Sequence, residues 1–246
     1  MMLRTIIVED EPLSRQYIRS LLKRFPEVDL IAEATTQEDA IHLIEQLNPD
    51  LIFLDIELHT GTGFEVLRRL KTHNFYVVFT TALEDHAIKI IKLSGVLFLQ
   101  KPIDADELNS YVKKIENVNQ DDKQAAVSYL LETLNNNNKP LHIAIENVDG
   151  RSYVLLREVI IVQAEGKCCV LHMQDGGVIK SPCTIKEYEK LLGDFQFFRA
   201  NAEQLINLAQ AEKTLLTGNL IWMNTGVQVQ LSSKRKELYF QKINVE

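Results

Sequence analysis

The sequence predicts two domains: a doubly wound α/β domain with a five-stranded parallel sheet, then a mostly antiparallel β-rich domain. Three observations predict them. Short apolar runs alternate with helix-patterned segments over residues 1–120. From residue 140 the pattern changes to short strands divided by glycine-bearing turns. Between the two, residues 121–139 carry charged residues and Asn135-Asn136-Asn137-Asn138, and the stretch reads as a linker ending at Pro140.

In the first domain the apolar runs fall at 5–8, 30–32, 51–54, 76–79 and 96–99. They are unbroken rather than alternating, as strands covered on both faces of a parallel sheet must be. Helical patterns lie between them. Residues 12–24 place Leu13, Tyr17, Leu21 and Leu22 on one side, and 37–47 do so with Ala40, Ile41, Ile44 and Leu47. Helices over 63–71, 85–93 and 104–115 complete five strand–helix units. In the second domain strands are predicted at 141–146, 152–156, 159–164, 169–173, 177–181, 220–223 and 227–231. Asp149-Gly150, Glu165-Gly166, Asp175-Gly176-Gly177 and Thr225-Gly226 mark the turns, and helices are predicted over 184–192 and 232–243.

The chain's 246 residues suffice for two cores, and 46% hydrophobic with 25% charged residues is ordinary globular composition. Three cysteines, two of them adjacent, make neither a disulfide framework nor a zinc site and fit reduced thiols in the cytoplasm. The opening apolar run is short and meets Glu9-Asp10-Glu11, unlike an export signal, and no stretch has membrane-spanning length. A cytoplasmic protein without a membrane partner is expected. The net charge of −7 is uneven: residues 140–246 hold 12 bases and 12 acids, so the acid excess lies in the first domain. Charge alone makes the second domain an unpromising nucleic-acid binder.

Sites in open α/β sheets form at the carboxyl ends of the strands. Glu9 and Asp10 follow the first predicted strand, Asp55 the third, Thr80 and Thr81 the fourth, and Lys101-Pro102 the fifth. Clustered carboxylates need a cation among them. A hard divalent ion such as Mg²⁺ accepts oxygen ligands and leaves positions for phosphate oxygens. One carboxylate could then attack a phosphoryl group, with a lysine and a hydroxyl holding the transferred oxygens. Alone, each of these residues is an ordinary loop or strand residue; it is the set in register that points to phosphoryl chemistry.

Residues 3 to 117 resemble the receiver domain of bacterial response regulators, a flavodoxin-like fold. The matching pieces are Ile7-Val8-Glu9-Asp10-Glu11, the run from Pro49 through Asp55 to Ile56, Gly63-Phe64, Phe79-Thr80-Thr81-Ala82 and Lys101-Pro102-Ile103. The resemblance implies Asp55 as phosphoacceptor. It implies Glu9, Asp10, Asp55 and the backbone carbonyl of Glu57 as Mg²⁺ ligands, Thr81 as switch hydroxyl, Lys101 as the phosphate-pairing lysine and Phe98 as switch aromatic. It also implies a cis bond before Pro102, a sensor histidine kinase as partner, and a homodimer formed on activation through the face from Asp85 to Asp104. His59 stands where a proline is common and is expected to alter only loop stiffness.

Residues 140–246 resemble the LytTR DNA-binding domain, through Val162-Gln163-Ala164-Glu165-Gly166, Phe197-Phe198-Arg199, Leu205-Ile206-Asn207-Leu208 and the run from Ser232 to Phe240. There are departures. Arg199-Ala200-Asn201-Ala202-Glu203 stands for the usual Arg-x-His-x-Ser, and Ser232-Ser233-Lys234-Arg235-Lys236 for Ser-Arg-Arg. A glutamate near phosphate repels it, and the first arginine's fork is lost. The resemblance implies DNA contacts at Lys167, Arg199, Asn201, Lys234, Arg235 and Lys236. Blander roles stand beside these: a terminal basic run is ordinarily a solvated face, Arg199 can bridge strands, Asn207 is expected to be a buried turn residue, and Trp222 is expected in the core. The expected function is a phosphorylation-controlled response regulator that binds DNA and regulates transcription, not a metabolic enzyme. The alternative is a phosphorylation-dependent protein-interaction regulator whose second domain no longer reads DNA.

Overall fold

A computed structural model describes residues 2–82, 86–116, 120–147, 150–215 and 219–243, so Asp85 and Asp149 lie outside the described residues. The chain forms two compact units, Met1–Asn138 and Lys139–Glu246. The first contains β1 (Leu3–Val8), α1 (Pro12–Leu22), β2 (Val28–Ala34), α2 (Gln37–Leu47), β3 (Leu51–Asp55), β4 (Glu57–Leu58), β5 (Gly61–Thr62), α3 (Gly63–Arg69), β6 (Tyr76–Thr81), α4 (His86–Ser94), β7 (Leu97–Gln100), α5 (Ala105–Glu116) and α6 (Gln120–Asn135). Its five-stranded sheet is parallel throughout, in the order β2-β1-β3-β6-β7. β4 and β5 form a separate two-residue hairpin beside the end of β3.

Successive strand side chains serve opposite faces. Ile7, Phe53, Val78 and Leu99 pack with Ile18, Leu21 and Leu22 of α1 and Leu108, Val112 and Ile115 of α5. Their alternates Ile6, Val8, Ile52, Leu54, Val77 and Phe79 are buried on the other face. The core stripe of α1 differs from the expected one. Leu13 and Tyr17 are exposed, and Ile18 is buried in their stead. The buried stripe runs Ile18, Leu21, Leu22, which is equally helical in period, so period alone did not choose between them.

The larger difference is α6. The segment expected to be a linker is helical from Gln120 to Asn135 and packs on α4, α3 and β6. Ala126, Val127, Leu130 and Thr133 are buried, so an apolar stripe outweighs the low helix propensity of the asparagines. The asparagine run acts only at the end, where Asn137 and Asn138 take left-handed φ values of 52° and 60°.

The second unit contains β8 (His142–Asn147), β9 (Gly150–Leu155), β10 (Val159–Glu165), β11 (Cys168–Met173), β12 (Val178–Ser181), α7 (Ile185–Leu192), β13 (Phe197–Arg199), β14 (Gln204–Asn207), β15 (Ala211–Leu215), β16 (Leu220–Met223), β17 (Gln228–Gln230) and α8 (Lys236–Ile243). Antiparallel pairing makes a five-stranded sheet, β12-β11-β10-β14-β13, a three-stranded sheet, β15-β16-β17, and the β8–β9 hairpin. A core of Ile160, Ile161, Phe198, Ile206, Ile221, Met223, Val229 and Tyr239 joins these sheets to α8. β13, β14 and β15 were not among the predicted strands. Trp222 is half-buried rather than in the core, on the face opposite Ile221 and Met223. Asn207 is buried; it donates from Nδ2 to the carbonyl of Val159 and accepts from the N–H of Ala209. No helix among the described residues is long and apolar enough to cross a membrane.

Candidate functional site

The parallel sheet brings the carboxyl ends of β1, β3, β6 and β7 to one edge. Glu9 and Asp10 follow β1, Asp55 closes β3, Thr80 and Thr81 close β6, and Lys101 follows β7. Glu9, Asp55, Thr80 and Thr81 are buried. Gly63 is required where the chain turns back over Asp55: a Cβ there would lie 2.3 Å from the Asp55 carbonyl oxygen. The bond between Lys101 and Pro102 is cis.

Lys101 Nζ lies 2.8 Å from Glu9 Oε2 and 2.5 Å from Asp55 Oδ2, so two buried carboxylates share one ammonium. Burial pushes the Asp55 carboxyl up to about 6. The Lys101 hydrogen bond opposes this and the charge of Glu9 adds to it. Burial also acts against the Lys101 charge, but bonds to Asp55 and Glu9 outweigh it and raise the ammonium above its ordinary value. Asp10 is held below the usual carboxylate range, because hydrogen bonds from His59 outweigh the effect of burial. Glu9 is fixed by Ser14 Oγ at 2.8 Å and the N–H of Glu11 at 3.2 Å, while Arg15 Nη1 donates to its backbone carbonyl at 2.8 Å.

Ligating oxygens of Glu9, Asp10 and Asp55 lie within 4.8 Å of one another. Among the described residues they are the one such group of three acidic, histidine or cysteine side chains. An all-oxygen, net-negative set fits a hard divalent cation such as Mg²⁺. The N–H of Glu57 donates to Asp55 Oδ1 at 3.1 Å, which orients the carboxylate. Phe98 is half-buried on β7, paired in register with Phe79, with Lys92 Nζ 5.2 Å from its ring centre.

His59 does more than stiffen its loop. Its backbone N–H and its Nδ1 both contact Asp10 Oδ2, placing the ring at the mouth of the pocket. Ser14, Arg15 and His59 were not singled out from the sequence as pocket residues. For Ser14 and Arg15 the available signal was position: they sit in the first turn of the helix that follows the acids, facing back over them.

In the second unit the expected DNA contacts divide. Arg199 donates from Nε to the Asn201 carbonyl at 2.7 Å and from Nη2 to the Ala202 carbonyl, and its Nη1 lies 3.1 Å from Glu189 Oε2. Its side chain is 10% exposed. Asn201 donates to Gln204 Oε1 and the Gln230 carbonyl, and its Oδ1 accepts from the N–H groups of Glu203 and Gln204. Both residues therefore shape the loop after β13 from within. Lys167 is exposed at the tip of the tight β10–β11 hairpin, where Gly166 has a φ of 64°. Lys234 is exposed and Arg235 and Lys236 are half-buried at the start of the last helix. Glu203 is exposed in the loop between β13 and β14.

A doubly wound sheet of this order, with an acid–lysine pocket at its carboxyl edge, is of the receiver class. Comparison with known proteins agrees. The family model of the response regulator receiver domain matches residues 5–113, and that of the LytTr DNA-binding domain matches residues 150–244. The chain is similar to the sensory transduction protein LytT of Bacillus subtilis, at 31% identity over 84% of this chain and 83% of that one. It is also similar to the transcriptional regulatory protein BtsR of Escherichia coli, at 27% identity over 89% of this chain and 88% of that one. The chain belongs to the two-component response regulators that join a receiver domain to a LytTR DNA-binding domain and regulate transcription.

Proposed function

We propose that Asp55 is the phosphoacceptor, and that its phosphorylation by a sensor histidine kinase controls DNA binding by residues 140–246. The observation that carries this reading is the buried Asp55 carboxylate, held at 2.5 Å by Lys101 among two further acids. An Asp55 oxygen attacks phosphorus, the bond from phosphorus to the donor's histidine nitrogen breaks, and the nitrogen keeps the electron pair and takes up a proton. Glu9, Asp10, Asp55 and the Glu57 carbonyl would hold Mg²⁺, which offsets charge on the phosphoryl oxygens when bound. Lys101 exchanges its Asp55 carboxylate contact for a phosphoryl oxygen, and the Thr81 hydroxyl takes another. Phe98 follows Thr81 inward, and the α4–β7–α5 face then favours a homodimer with two readers for repeated half-sites.

The candidate cations for DNA are the exposed Lys167 and Lys234 and the half-buried Arg235 and Lys236, with Arg199 and Asn201 holding the loop after β13. To test the phosphoacceptor, the chain is incubated with Mg²⁺ and an acyl phosphate donor and its intact mass measured. One phosphoryl group is expected in the wild type and none in Asp55→Asn. Undiminished uptake in the variant would remove the assignment.

A further inference from the structure

Arg199 and Arg235 come from separate segments, the end of β13 and the turn before α8, yet both reach the same carboxylate. Glu189 of α7 places Oε2 at 3.1 Å from Arg199 Nη1 and Oε1 at 3.1 Å from Arg235 Nη1. The two arginines are left in different states. All the nitrogens of Arg199 are engaged within the unit, through Glu189 and the carbonyls of Asn201 and Ala202. Arg235 has its one side-chain partner among the described residues at Nη1, and its side chain is 39% exposed. Its Nε–Nη2 edge stays available, and such an edge can pair with two oxygens of a phosphate or with the O6 and N7 of a guanine. The neighbouring tie is independent of Glu189: Lys242 of α8 donates to the carbonyls of Gly193 and Phe197 at 2.7 and 3.0 Å. The helix is thus already seated at its far end, and the contact with Glu189 sets where the Arg235 guanidinium points.

We propose that Glu189 is a positioning residue for DNA reading, holding Arg235 so that its free edge faces the groove in register with the Arg199 loop. The inference rests on DNA binding by this unit. A carboxylate in this place has two opposing effects. It offsets one arginine charge, which weakens attraction to any duplex. It also removes the rotamer freedom of a long side chain before binding, which strengthens binding to the duplex whose acceptors match that one orientation. Glu189 therefore trades general affinity for discrimination, consistent with residues 140–246, whose 12 bases are matched by 12 acids.

The test uses the full chain and a duplex selected by the wild type from a random-sequence library, compared with a scrambled duplex. In Glu189→Ala, affinity for the selected duplex should fall about tenfold, while affinity for the scrambled duplex rises two- to threefold and its salt slope steepens by about one counterion. A merely structural loss would lower both affinities together with the thermal midpoint. Glu189→Gln keeps an acceptor and should fall between the two. The double variant Glu189→Ala/Arg235→Ala should discriminate no worse than Arg235→Ala alone, because the two act as one unit. An unchanged ratio of the two affinities in Glu189→Ala, or additive losses in the double variant, overturns the inference while DNA binding stands. A wild type that selects no duplex removes both.

Discussion

Asp55 sits where burial and the charge of Glu9 both disfavour its ionised form, and one lysine only partly offsets them. Its folded pKa of about 6 lies above the ordinary carboxylate value of 3.8. A raised carboxyl contributes stability that is fully present below its unfolded pKa and is lost as pH rises through the folded one. With divalent cations chelated, the chain should therefore lose stability between about pH 4 and pH 7, by at most about 3 kcal/mol from this group. Asp55→Asn should be flatter over the same range, and Mg²⁺ should recover the loss in the wild type. Denaturant midpoints across that range check it; equal pH dependence in the two proteins would contradict it. The acids, the threonines and the lysine could be read from the sequence because each directly follows an apolar run. His59 could not, because its reach to Asp10 depends on how the β4–β5 hairpin folds back across the pocket.

α6 is the last element of the first unit, and packs on α4, the helix that follows β6 and its threonines. Leu130 of α6 is fully buried. Leu130→Ala should lower stability by about 2–5 kcal/mol, the range for large-to-small core changes. It should also speed amide exchange in α4 as well as in α6. Faster exchange confined to α6 would mean that α4 does not lean on it. The parallel strands were readable because each is an unbroken apolar run, as coverage on both faces demands. α6 was obscured by its flanks: Asp121-Asp122-Lys123 and the asparagines outweigh the apolar stripe in any short window. In the second unit β13 and β14 are three and four residues long, and β15 is Ala-Glu-Lys-Thr-Leu with its charged pair exposed. Strands so short or so polar on one side are made by their partners, not by their own pattern.

The two units divide the chemistry between them, with the acid excess in the unit that holds the acid–lysine pocket and near charge balance in the unit that meets DNA. A neutral reader with four candidate cations at Lys167, Lys234, Arg235 and Lys236 gains little from long-range attraction. Affinity should therefore depend on how many readers engage at once, the quantity that phosphorylation of Asp55 is proposed to control. The motif departures at Asn201 and Glu203 act in the same direction. Asn201 holds the loop internally, and the exposed Glu203 adds repulsion that Glu203→Ser should relieve. The most direct measurement is an anisotropy titration of the full chain against a library-selected duplex at several salt concentrations, with Asp55 phosphorylated and unphosphorylated. The expected result is tighter binding in the phosphorylated wild type, no such change in Asp55→Asn, and a salt slope no steeper than about 4 for a single reader. Equal affinity in the two states, or no binding in either by a folded chain, would contradict a phosphoryl switch acting on a DNA-reading unit.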